Sequence, residues 1–69
     1  MTHITLSIPS HNTVIKLNYE TEHQIYIILV NDVDVLAKTN IKNEALARFD
    51  TIVSLLNLLK IHCELEYHI

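Results

Sequence analysis

The stretch QIYIILVNDVDVLAKTN, residues 24–40, decides the fold that this sequence predicts. Residues 24–30 are apolar on both faces and rich in β-branched side chains, which is typical of a central strand. Asn31 and Asp32 follow, and these residue types tolerate the left-handed backbone of a tight hairpin turn better than others, glycine excepted. Residues 33–38 therefore predict a returning strand.

Two further strands precede this hairpin, in residues 2–8 and 13–19. Each alternates apolar and polar side chains, the pattern of a half-buried strand. The side chains expected to point inward are Ile4, Leu6, Ile8, Ile15, Leu17 and Tyr19, and His3, Thr5 and Ser7 are expected to point outward. The polar segments PSHN and ETEH predict short turns, so the four strands form an antiparallel meander.

Beyond the hairpin the apolar period changes to that of a helix, with Thr39 or Asn40 as the expected N-cap. The apolar stripe comprises Ile41, Ala45, Leu46, Phe49, Ile52, Val53, Leu56 and Leu59, with Leu55 and Leu58 on a flank. We expect the helix to end between Asn57 and Lys60. Residues 61–69, IHCELEYHI, alternate again and predict a last strand. Its apolar side chains are expected to be sequestered from water, and they are Ile61, Cys63, Leu65, Tyr67 and Ile69.

The fold class expected is therefore α+β: a four-stranded antiparallel meander, one amphipathic helix packed on one face, and a C-terminal fifth strand (β-β-β-β-α-β), in a single domain over residues 1–69. A chain of this length buries only about 60% of the surface that its unfolded form exposes. Small chains often gain stability from a second subunit, so a homodimer is possible.

The composition excludes several classes of function. The chain has no glycine, so it has no P-loop, no dinucleotide-binding fingerprint and no nucleophile elbow. A net charge of -3 with Arg48 as the one arginine argues against nucleic-acid binding. The lone Cys63 suits a reducing cytoplasm, and no signal peptide or membrane span is evident. We expect no enzyme activity and no cofactor.

The terminal stretch raises the question of a metal site. His62, Glu64, Glu66 and His68 would share one strand face, with neighbours about 6.8 Å apart along the strand. The two histidines would then be about 20 Å apart, too far to bind one ion. We therefore favour a solvated strand face and assign no metal ligand. Cys63 would point to the apolar side.

Two surface features favour protein binding. The first is an apolar patch, because Tyr26, Ile28 and Val30 would lie with Leu36 on the uncovered sheet face, and Tyr26, Ile28 and Leu36 would anchor a partner. The second feature is a set of paired acidic residues. Three pairs at i, i+2 would each hold two carboxylates about as far apart as successive phosphates of a nucleic acid. These pairs are Glu20 with Glu22, Asp32 with Asp34, and Glu64 with Glu66.

The passage IYIILVNDVDVLAKTNIKNEALARFDTIVSLLN, residues 25–57, resembles the hairpin-then-helix passage of tiny phage-encoded anti-defence proteins, including anti-CRISPR inhibitors. The resemblance covers about half the chain and rests on no diagnostic motif. It implies a non-enzymatic inhibitor that binds a host nucleic-acid-handling complex, with the acidic pairs contacting basic residues. The alternatives are a small metal- or ligand-binding module and a homodimerising subunit of a larger assembly.

Overall fold

A computed structural model describes residues 1–68 of the chain. Over these residues its elements are β1 (Thr2–Ile8), β2 (Thr13–Glu20), β3 (Ile25–Val30), β4 (Asp34–Thr39), α1 (Lys42–Leu58) and β5 (Glu64–Tyr67), with a short 3-10 turn at Pro9–His11. The strands form one antiparallel sheet in the order β4-β3-β2-β1-β5. The helix packs on one face of this sheet, which confirms the expected α+β fold.

The core lies between the sheet and α1. Leu6, Leu17 and Ile28 are fully buried in its middle, and Phe49 of α1 packs against them. The remaining buried members are Ile4, Ile8, Ile15 and Ala45. The inward rows expected for β1 and β2 are therefore confirmed. Tyr19 also points to the helix side, opposite Tyr26, and is half-buried at the end of its strand.

The hairpin between β3 and β4 forms as expected from its two turn residues. Asn31 and Asp32 have φ angles of 52° and 61°, so both adopt the left-handed conformation that a type I′ turn needs. The N–H of Val33 donates to the carbonyl of Val30 at 3.1 Å and closes the turn. The side chain of Asn31 also accepts a hydrogen bond from the N–H of Val14 at 2.9 Å, which ties the turn to β2.

The helix ends where the sequence predicted, in a Schellman motif without glycine. Lys60 has a φ of 57°, and its N–H donates to the carbonyl of Asn57 at 3.1 Å. The N–H of Ile61 donates to the carbonyl of Leu56 at 2.9 Å. A lysine thus occupies the left-handed position that glycine usually fills.

The predicted N-cap of the helix is wrong. Ile41 is the N-cap and makes no side-chain cap hydrogen bond. Thr39 is still the last residue of β4, opposite Tyr26, so it cannot also begin the helix. Its Oγ1 instead accepts a hydrogen bond from the N–H of Ile41 at 3.1 Å, which turns the chain from strand to helix.

The prediction that Tyr26, Ile28 and Val30 line the uncovered face is wrong. These residues pair with Tyr19, Leu17 and Ile15 of β2, and directly paired residues of antiparallel strands point to the same face. Ile28 is only 1% exposed in the core, so it cannot be a surface anchor. The alternate residues of β3, namely Ile25, Ile27 and Leu29, therefore lie on the uncovered face.

Two bulges redirect side chains that strict alternation had placed elsewhere. In β4, Val35 lies opposite Leu29 and Ala37 opposite Ile28, so Leu36 is an extra residue. Leu36 remains 55% exposed but borders a cleft with Ile28 on the helix side of the sheet. A second irregularity, between Thr2 and Ile4 of β1, turns His3 to the helix side.

The last strand is shorter and less covered than expected. We predicted that the apolar side chains of residues 61–69 would be sequestered, but Leu65 is 41% and Tyr67 is 69% exposed. The reason is the position of α1, whose backbone comes closest to β3 and β4 and leaves β5 at the far edge. Ile61 and Cys63 pack against the core as expected, and Ile69 lies outside the described residues.

Candidate protein-interaction surface

The sheet face that α1 does not cover, called the open face below, carries an apolar stripe along β3. Ile25, Ile27 and Leu29 follow one another on it, and all are half-buried by their neighbours. Val35 of β4 lies opposite Leu29 and is exposed. A sheet face in contact with water normally carries polar side chains. A row of aliphatic side chains on such a face is typical of a contact surface.

Basic side chains flank this stripe on both sides. Lys16 of β2 pairs with Leu29, and Lys38 of β4 pairs with Ile27. Lys16 Nζ lies 3.0 Å from Asp32 Oδ1, across the mouth of the β3–β4 turn. Asp32 is therefore already engaged within the chain, although a surface ion pair of this kind contributes no more than about 1 kcal/mol.

An acidic strip occupies the far edge of the same face. Glu64 and Glu66 of β5 pair with Ser7 and Thr5 of β1, which places both carboxylates on the open face as the sequence predicted. Each has a histidine nearby. His62 Nε2 lies 3.6 Å from Glu64, and His68 Nε2 lies 3.6 Å from Glu66.

His68 is further fixed in place by β1. Its Nε2 and Thr5 Oγ1 lie 2.9 Å apart, and its backbone N–H donates to the carbonyl of His3 at 2.8 Å. The histidines at the two ends of the strip thus contact separate carboxylates.

The other two acidic pairs lie away from this strip and from each other. Glu20 and Glu22 are at the β2–β3 turn, whereas Asp32 and Asp34 are at the β3–β4 turn. These turns are at opposite ends of β3, about 20 Å apart. The six acids predicted to contact a partner therefore do not form one continuous surface. Besides Glu64 and Glu66, Glu20 is on the open face, because it pairs with Ile25 at the end of the apolar stripe.

The β2–β3 turn instead assembles a cluster of possible metal ligands. Glu20, Glu22 and His23 each place one ligand atom within 4.8 Å of the others. His23 Nδ1 also hydrogen-bonds with the Glu20 carboxylate. The sequence signal for this cluster was present in ETEH, which has three possible metal ligands in four residues of a turn. From the sequence we considered a metal site only at residues 62–68.

Tyr26 belongs to an aromatic cluster on the helix side. Its ring centroid lies 4.7 Å from that of Tyr19 and 6.0 Å from that of His3. His3 Nε2 is buried and has no hydrogen-bond partner within residues 1–68. Tyr19 and Tyr26 border a shallow cleft of about 320 Å³ that Lys42 also lines. The predicted partner contact of Tyr26 would therefore be on the helix side and not beside the acidic strip.

Comparisons with family models, with curated proteins and with solved structures return no match. Across the part of the chain that the structure describes, α1 is too short and too polar for a membrane-crossing helix, and no other helix qualifies.

Proposed function

We propose that this protein is a non-enzymatic interaction protein that binds another protein through the open face of its sheet. The observation that carries the proposal is the row of Ile25, Ile27 and Leu29 on the face that α1 leaves uncovered. A single helix can cover only one face of a sheet, so these side chains lose water contact only when something else packs on them.

The size of this patch limits what it can contribute to binding. If a partner removes roughly 200 Å² of apolar surface from water, the gain is about 5 kcal/mol. Ordering two molecules in a complex costs several kcal/mol, so the stripe by itself supports only weak binding. Charge complementarity around the stripe would have to provide specificity and speed the encounter.

The acidic strip supplies that charge. Glu64 and Glu66 are well exposed and lie three strand spacings from the apolar stripe, about 14 Å away. A partner that presents an apolar ridge to the stripe and basic residues to the acidic strip, beyond Lys16 and Lys38, would match both features. The resemblance to anti-defence proteins suggests such a partner, because a host complex that handles nucleic acid has a basic groove. The proposed form of the function is thus a phage or mobile-element inhibitor acting in the cytoplasm.

The test is a pair of matched substitutions that differ in location only. Ile27→Lys places a charge in the middle of the open face, and Leu58→Lys places the same charge on α1, where Leu58 is already 80% exposed. Both variants and the unchanged protein serve as bait for lysate of a bacterium that carries a CRISPR-type complex, and circular dichroism checks their folding.

We expect the unchanged protein and Leu58→Lys to retain the same partner and Ile27→Lys to lose it. Equal recovery by both folded variants would show that the open face does not bind the partner. Recovery of the partner by neither variant would place the contact on more than the open face and would also contradict the proposal.

A small metal-binding module is the second candidate, and the Glu20, Glu22 and His23 cluster favours it. Carboxylate and imidazole groups are suitable ligands for zinc and related ions. The cluster provides three donors on an exposed turn, so any ion bound there would keep water or a further ligand in its coordination shell.

A further inference from the structure

The outer edge of β5 is a strand edge with free backbone groups. The N–H of His68 donates to β1, and in antiparallel strands the residues that bond to a given neighbour alternate. Glu64 and Glu66 therefore also direct their backbone groups at β1, whereas Leu65 and Tyr67 direct theirs outward. Because β5 is the last strand in the sheet order over residues 1–68, these outward groups have no strand partner there.

The two edges of the sheet differ in how well they are protected against further pairing. At the β4 edge the bulge at Leu36 interrupts the ladder, and Lys38 adds a charge. Bulges and edge lysines are common ways in which proteins prevent strand addition. β5 pairs with β1 in regular register from Glu64 to Tyr67, with no bulge and no lysine. The regular edge is therefore the one suited to pairing.

The side chains beside this edge are apolar on the helix side. Leu65 and Tyr67 are exposed, and they border a cleft of about 300 Å³ together with Leu46, Phe49 and Val53 of α1. The cleft lies between α1 and β5 because the helix backbone comes closest to β3 and β4. A strand added to β5 would cover Leu65 and Tyr67 and bring its own side chains to the mouth of this cleft.

We propose that a second copy of this chain is the occupant, with β5 paired antiparallel to β5 of the second copy about a two-fold axis. In the register that we assign, Leu65 lies opposite Tyr67 of the second copy, and Tyr67 opposite Leu65. These are the residues with outward backbone groups, so the register forms four backbone hydrogen bonds. It also forms two pairs of an aromatic and an aliphatic side chain beside the cleft.

The contacts of Glu64 favour this register over the one with Leu65 opposite Leu65 and support a second copy as the occupant. By symmetry the assigned register forms two contacts on the open face between Glu64 of one copy and His68 of the other. The two Glu66 residues lie opposite each other at the axis. The neighbouring register, with Leu65 opposite Leu65, would place Glu64 opposite Glu66 twice. Like charges directly opposite each other destabilise strand pairing. The assigned register has one such contact, between the two Glu66 residues, and the neighbouring register has two.

The dimer would be a ten-stranded sheet with both helices on one side. Both open faces would then be coplanar, with the acidic strips of the two copies meeting in the middle and the apolar stripes on either side. This arrangement does not depend on any further partner. It is a separate property from the binding proposed above, because the open face stays uncovered.

The test is sedimentation equilibrium of the full chain from about 5 to 500 µM, with four variants. Tyr67→Pro removes an outward N–H that β1 does not use, and proline is tolerated at such an edge position. Tyr67→Ala removes the same side chain but keeps the N–H. Glu64→Lys reverses the charge of the residue opposite His68 of the second copy, and Leu36→Lys is the matched control on the β4 edge. Circular dichroism checks that each variant is folded.

We expect a dimer for the unchanged chain and for Leu36→Lys. Tyr67→Pro should raise the dissociation constant at least about ten-fold and more than Tyr67→Ala does, because it loses backbone bonds as well as the side chain. Glu64→Lys should weaken the dimer in the assigned register but strengthen it in the neighbouring one, where the lysine would meet Glu66.

Several results would overturn the proposal. A chain that stays monomeric throughout the concentration range has no second copy on this edge, and the edge would then be open to a strand of another protein. A dimer that Tyr67→Pro leaves unchanged uses another surface. A dimer strengthened by Glu64→Lys rejects the assigned register. None of these results bears on the lysate experiment with Ile27→Lys, so the two proposals fail separately.

Discussion

Leu17 and Ile28 lie directly opposite each other on β2 and β3, and both side chains are fully buried against the helix side of the sheet. This pairing decides which half of the apolar strand β3 joins the core. It leaves Ile27, the neighbour of Ile28 along the chain, on the open face. Two adjacent isoleucines therefore have different roles, one in stability and one in surface contact.

The first prediction compares these two isoleucines. Ile28→Ala should lower the free energy of unfolding by about 2–5 kcal/mol, since it leaves a cavity in the core. Ile27→Ala should cost only about 1 kcal/mol, because its side chain is half-buried and borders solvent. Urea denaturation followed by circular dichroism measures both. Equal losses would contradict the assignment of the two faces.

The second prediction concerns the left-handed residue that ends α1. Lys60 has a φ of 57°, where a side chain costs about 1–2 kcal/mol and glycine costs nothing. Glycine loses more backbone entropy on folding, so Lys60→Gly should stabilise the protein by a net of about 0.5–1 kcal/mol. The melting temperature should rise by about 4 °C. Lys60→Ala is the control, and it should change the melting temperature little, because alanine keeps the Cβ.

The third prediction tests the metal-binding alternative. If Glu20, Glu22 and His23 bind zinc, a concentration ten-fold above the dissociation constant should stabilise the protein by about 1.4 kcal/mol. His23→Ala should remove the effect, and His62→Ala should not. A melting temperature that is the same in zinc and in EDTA would exclude this module. A shift that disappears with His62→Ala would place the ion at β5 instead.

The fourth prediction separates the acidic strip from the other acids. Reversing Glu64 and Glu66 to lysine should weaken partner binding and reduce its dependence on salt, with folding intact. Reversing Glu22 and Asp34 is the matched control, and it should leave binding unchanged because Glu22 is in a turn and Asp34 pairs with Val30 on the helix side. Titration calorimetry with the partner recovered from lysate, at protein concentrations below self-association, measures both. Equal weakening would support the original prediction that all the acidic pairs contact the partner.

Much of the fold could be predicted because the signals for it are local. The alternation in β1 and β2, the Asn31–Asp32 turn and the end of α1 near Lys60 each depend on a few consecutive residues. The pairing of Glu64 and Glu66 on one face follows from strand geometry in the same way. The contact roles of these acids and of Leu36 stay predictions.

The candidate surface was harder to predict because β3 is apolar on both sides. Alternation shows that Ile28 and Ile27 face opposite ways, but it cannot show which of them meets the helix. That choice follows from the register between β2 and β3, which a change of one residue would reverse. The Leu36 and His3 bulges add an extra residue to their strands, and no local pattern marked either position.

The sequence by itself determined the number, kind and order of the elements, because hydrophobic period and turn chemistry act over short distances along the chain. It also excluded the glycine-dependent catalytic motifs. Tertiary structure alone decided that α1 lies over β3 and β4, that Ile25, Ile27 and Leu29 remain on the open face, and that β5 forms a regular free edge. These features arise from contacts between residues far apart in the chain, and their geometry depends on which packing buries the most apolar surface.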